Sequence, residues 1–74
     1  RRMSRAINLS LTESEVNAIC HAAGIAISAI EPLRSGGTRL VCTTGPGADE
    51  IRLRLGGHVI AGAVDRYRFY RPPQ

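Results

Sequence analysis

Cys20, His21, Cys42 and His58 are the cysteines and histidines of this chain, the side chains first to be weighed for catalysis or metal binding near neutral pH. Histidine titrates there unaided, and a thiolate is a strong nucleophile and metal ligand. Their spacing argues against either use. Cys20 and His21 are neighbours in a stretch that reads as helix, where consecutive side chains point in different directions and do not meet. The cysteines have no CxxC spacing and no histidine pair at ligand distance, so neither a zinc site nor a disulfide framework is indicated. Both thiols are expected to be reduced and buried, the commoner fate of unpaired cysteine. His58 falls in the glycine-rich "GGHV" and reads as solvated. No cofactor is implied, and the chain reads as non-enzymatic.

A second set of residues points to binding. "VDRYRFYRPP", residues 64–73, holds all three aromatic residues and three of the ten arginines. Alternating arginine and rings could offer phosphate contacts and stacking planes, but it is also the pattern of a half-buried strand. "TTGPGADE", residues 43–50, suggests a phosphate cradle ahead of a helix. There the Walker lysine is missing, and Asp49 and Glu50 would repel an anion, so a turn followed by a helix start is the better reading.

The elements that must position these residues belong to one small domain of 74 residues, with 1–4 and 71–74 expected as flexible ends. The apolar fraction of 43% is mostly aliphatic, enough for a modest core and too much for a disordered chain. No run approaches a membrane span or a signal peptide, so a soluble cytoplasmic protein is expected, with Met3 a candidate native start. The net charge of +4 comes from arginine without any lysine. That suits bidentate phosphate recognition, although codons of a GC-rich genome enrich arginine, alanine and glycine together. A positive surface favours nucleic acid or an acidic protein face as partner.

Residues 5–9 read as a first strand with Ile7 and Leu9 on one face. "LTESEV" announces a helix over 13–23: Thr12 as N-cap, Glu15 completing a capping box, Leu11 and Val16 as a hydrophobic staple, and Gly24 as C-cap. Val16, Ile19, Cys20 and Ala23 form its buried stripe. Residues 25–33 and 38–44 read as a hairpin turned by "RSGG", with Pro32 near the end of an edge strand. In the second arm Leu40 and Cys42 face one way, Arg39, Val41 and Thr43 the other. For 45–56 the alternation of Ile51, Leu53 and Leu55 allows a strand. The acidic pair and the Ala48, Ile51, Leu55 stripe favour a helix closed by Gly56-Gly57. Residues 59–70 read as the last strand, with pairing expected to begin near Gly62.

The order βαββαβ predicts an α+β fold: a four-stranded antiparallel sheet with two helices on one face, the ferredoxin-like arrangement. Tyr67 and Phe69 are expected in the core, leaving Arg66, Arg68 and Tyr70 on the open face with Ala6, Asn8, Arg39, Val41 and Thr43. In element order, glycine-rich hairpin and the "GGHVIAG" step, the chain resembles the RNA recognition motif family over nearly its whole length. That resemblance implies RNA binding on the open face, although the family's stacking positions match Ala6, Asn8, Arg39 and Val41, which are not aromatic. The expected function is a non-enzymatic module contacting nucleic acid, RNA in first place, through Arg39, Arg66, Arg68, Tyr70, Asn8 and Thr43. The alternative is a protein–protein module: a homodimeric adaptor, or a small inhibitor similar in size to the phage-encoded anti-CRISPR proteins.

Overall fold

The computed structural model describes residues 4–62 and 64–67. Strand β1 (Ala6–Leu9) leads into helix α1 (Glu13–Ala23), which starts where Thr12 caps it. The Thr12 hydroxyl accepts from the Glu15 N–H at 3.1 Å and the Glu15 carboxylate accepts from the Thr12 N–H at 2.9 Å, so the capping box is complete. Gly24 ends the helix at φ 69°, a left-handed conformation that costs glycine little.

Strands β2 (Ile27–Pro32) and β3 (Thr38–Cys42) form the expected hairpin. Gly37 in its turn has φ 90°, and a Cβ there would lie 2.4 Å from the Leu9 carbonyl oxygen, so glycine is required on both counts. Helix α2 (Gly45–Arg54) settles the ambiguity of 45–56. Ile51 is fully buried while Leu53 is 81% exposed, which period two does not allow. The helix begins earlier than the acidic pair suggested. Thr44 caps it by accepting from the Gly47 N–H at 3.0 Å, and Pro46 sits in the first turn. Asp49 and Glu50 lie one turn in and pair with Arg52 and Arg54 instead.

The sheet has three strands in the order β1-β3-β2, both pairings antiparallel. Ile7, Leu9, Leu40 and Cys42 point from one face into a cluster with Val16 and Cys20 of α1 and Ala48 and Ile51 of α2. Both helices therefore cover the same face. Each large aliphatic side chain fully buried there contributes roughly 1.5–3 kcal/mol. Thr38 is the buried polar member. Its hydroxyl donates to the Leu11 carbonyl at 2.7 Å, tying the hairpin to the lead-in of α1. Among the described residues no helix is long and apolar enough to cross a membrane.

The expected fourth strand is absent among the described residues, so the ferredoxin-like sheet is corrected to a three-stranded one. After one 3-10 turn (Gly56–His58), the chain makes two isolated antiparallel bridges, Leu9↔Val59 and Leu33↔Arg66. The first lies at the free edge of β1, where the Ser10 N–H donates to the His58 carbonyl and the Ile60 N–H to that of Asn8, both at 2.8 Å. The second lies beside the end of β2, where the Arg34 N–H donates to the Asp65 carbonyl at 2.7 Å. A segment that leaves one edge and reaches the other cannot stay in one ladder. Gly62, at φ 84°, turns the chain where pairing was expected to begin. Tyr67, expected in the core, is 45% exposed, because the edge bridge at Arg66 keeps it away from the helices. Phe69 lies outside the described residues.

Candidate functional site

The face of the sheet opposite the helices is set by register. Cross-strand partners share a face, so Ala6, Val41 and Ala29 form one row and Asn8, Arg39 and Glu31 the next. The rows lie about 7 Å apart, two residues of strand rise. A bulge between Ile27 and Ala29 brings β2 into this register. The first row is small and aliphatic. The second is polar, with Arg39 at its centre on the middle strand.

Of the residues expected to carry binding, Asn8, Arg39 and Arg66 are brought together. Asn8 and Arg39 face each other across β1 and β3. Arg66 reaches the same row from its bridge, its Nε donating to the Glu31 carboxylate at 2.9 Å. Thr43 is exposed just past the end of β3 and is occupied through its backbone. Its N–H donates to the Ala26 carbonyl at 3.1 Å, and its own carbonyl accepts from Arg5 Nη1 at 3.0 Å. Four residues of strand separate it from Arg39, about 13 Å, so it belongs to the rim. Arg68 and Tyr70 lie outside the described residues.

Glu31 is the site residue that sequence reasoning missed, and it changes the electrostatics. Counting outward from the glycine turn would have placed it opposite Arg39. It spends its charge on Arg66. The other described arginines are similarly engaged: Arg34 lies 4.0 Å from Asp65, Arg52 3.5 Å from Asp49 and Arg54 2.7 Å from Glu50, while Arg5 holds the Thr43 carbonyl. Arg52 also reaches the carbonyls of Ser4 and Ala6, which braces the start of β1. Arg39 is thus the one arginine with no hydrogen-bond or ion-pair partner among the described residues.

The described segments hold six arginines and six carboxylates, so these balance, and the net +4 resides in Arg1, Arg2, Arg68 and Arg71. The expectation of an arginine-rich face narrows accordingly. One unpaired guanidinium sits mid-sheet, and the excess charge belongs to the two ends of the sequence. Beside Arg39, Asn8 Oδ1 is shielded from solvent and has no hydrogen-bond partner among the described residues. An orphaned buried acceptor of this kind costs about 1–3 kcal/mol.

The catalytic candidates stay apart from this face. Cys20 and Cys42 are free and buried in the core. Burial pushes both thiols up, away from the reactive thiolate; neighbouring Cys42 adds to the effect at Cys20, and the Arg52 guanidinium partly offsets it at Cys42. His21 is exposed on α1. His58 Nδ1 lies 3.5 Å from Ser10 Oγ, but that hydroxyl also donates to the His58 carbonyl at 3.2 Å. Among the described residues no group of three His, Cys, Asp or Glu side chains could hold a metal ion. No protein-family model, curated protein or solved structure matches the chain.

Proposed function

We propose that the protein is a non-enzymatic binding module that holds single-stranded nucleic acid, RNA in first place, against the open face of its sheet. The observation that carries this reading is Arg39: a guanidinium at the centre of the middle strand, beside an aliphatic row, with no partner among the described residues. An arginine so placed offers five donors and a planar cation to a phosphate or a base. Arg1, Arg2, Arg68 and Arg71 supply the long-range attraction that the charge-balanced body lacks, and Tyr70 keeps the stacking role read from the sequence.

Titrating labelled single-stranded RNA over a salt series tests the reading. Binding should weaken steeply with salt, and Arg39→Ala should weaken it for all sequences and lower the salt slope by about 0.7 if its contact is one phosphate. Undetectable binding by the unmutated protein at low salt overturns the proposal. A second reading, a protein–protein module, draws support from β2. Its outer edge has no partner strand over Ile27–Glu31 among the described residues, although the bulge and Pro32 blunt it. Salt-insensitive association with a protein partner, or with a second copy, is the signature of that reading.

A further inference from the structure

Asn8 and Arg39 stand directly opposite each other on the open face, and neither side chain finds a hydrogen-bond partner among the described residues. A carbonyl oxygen and a guanidinium at this spacing would ordinarily satisfy one another. An unpartnered acceptor, shielded from solvent, thus lies beside an unpartnered set of donors. The group that completes both is a planar edge carrying a donor next to an acceptor, which is what a nucleobase displays and a phosphate does not. Two residues along each strand, the Ala6, Val41 and Ala29 row gives an aliphatic floor of low relief.

We infer that Asn8 and Arg39 form a base-reading pair: a single unstacked nucleobase lies on the aliphatic row with its polar edge turned to Asn8 Oδ1 and the Arg39 guanidinium. This rests on the nucleic-acid reading above and goes beyond it, since phosphate binding alone needs neither Asn8 nor the row. Asn8 Oδ1 is shielded in the free protein, so the amide turns about χ2, a broad and soft torsion, to receive the base. No aromatic residue takes part. The base is held by its edge and by aliphatic contact.

The test compares a labelled RNA of about ten nucleotides with an oligomer of the same length and phosphate count whose bases are removed. Fluorescence anisotropy reads the affinities, and thermal unfolding confirms that each variant is folded. The unmutated protein should bind the base-bearing strand at least about tenfold tighter than the abasic one, the order expected of hydrogen bonds to a base edge. Asn8→Ala should lose about fivefold or more on the base-bearing strand, with the abasic affinity and the salt slope unchanged. Arg39→Ala should weaken both. Equal affinity of the unmutated protein for the two strands overturns the inference while sparing the nucleic-acid reading, and so does an Asn8→Ala loss that is the same on both. Because the two-strand comparison needs no variant, it stands even if Asn8→Ala does not fold. Absence of binding to either strand overturns both readings.

Discussion

Strand β3 and the segment from Gly56 to Tyr67 are held in different ways. β3 has a partner strand on each side and places Leu40 and Cys42, both fully buried, between two helices. The later segment contributes no fully buried side chain among its described residues, and its contacts there include backbone hydrogen bonds at two opposite edges and exposed polar pairs such as Arg66–Glu31 and Arg34–Asp65. Each stretch carries one arginine among apolar residues, Arg39 in β3 and Arg66 in the later segment, and both read as strands from the sequence. Alternation becomes a strand only where a ladder and an apolar layer receive it, and by residue 56 the two helices have already filled the layer under β1 and β3.

The largest expected contrast follows from that difference. Leu40→Ala leaves a hole among fully buried residues and should cost about 2–5 kcal/mol, a large share of the stability of a domain this small. Val59→Ala trims a side chain that is 38% exposed and should stay within about 1 kcal/mol, because the bridge it makes is backbone to backbone. Urea unfolding of the two variants measures both. Equal losses would mean that the later segment carries core packing, and the distinction would fall.

A smaller effect is expected where the regions touch. Gly37 lies against the Leu9 carbonyl and, at 3.2 Å from its would-be Cβ, against Ile60 Cδ1. Gly36→Ala meets the same unfavourable backbone region, at φ 99°, with nothing within 4 Å, so it isolates the conformational term. Gly37→Ala should cost that term, roughly 1–3 kcal/mol, and in addition push back the Leu9 carbonyl, 2.4 Å from the added Cβ, disturbing the edge of β1 to which the later segment bonds. Hydrogen exchange at the Ile60 and Ser10 amides, which bond to Asn8 and His58 across this junction, should quicken for Gly37→Ala and not for Gly36→Ala. Unchanged exchange in both would show that the segment is anchored elsewhere.

What was legible in the residues is what local chemistry decides. Thr12 and Glu15 announce a helix start by side chains that bond only to their own turn, and Gly24, Gly36 and Gly37 mark positive φ by lacking a Cβ. The α2 helix was legible as a type but not at its start: the acidic pair suggests a first turn at Asp49 and Glu50, whereas Thr44 caps the helix, Pro46 lies in its first turn and the acidic pair serves Arg52 and Arg54. The last strand misled because whether Tyr67 is covered depends on where the segment pairs: the bridge at Arg66 holds it beside the end of β2 rather than under the helices, a property of the whole fold. The candidate face was partly legible. Asn8 and Arg39 follow from period two once Ile7, Leu9, Leu40 and Cys42 are known to face inward. That Glu31 neutralises Arg66 depends on a register between distant segments.

The smallest effect probes a place where the later segment leans on the earlier one electrostatically. The Glu15 carboxyl is held below its ordinary range first by the Thr12 N–H, then by the Thr12 hydroxyl, and least by the charge of His58. A carboxyl held down in the folded state binds its proton less readily there than in the unfolded chain. It adds stability above the ordinary carboxylate range, and that stability is lost as pH falls from about 4.5 through the lowered value. Thr12→Ala removes the hydroxyl while the Thr12 N–H contact remains in reach, and should cost about 1 kcal/mol through loss of the N-cap. It should also move the Glu15 titration, followed by NMR of its side-chain carbonyl carbon, upward toward the ordinary value. His58→Ala removes only the weakest influence and should shift the same titration less than Thr12→Ala does. The reverse ranking would make the later segment, rather than the helix's own cap, the main support of Glu15, and the contrast between the two regions would not hold at their contact.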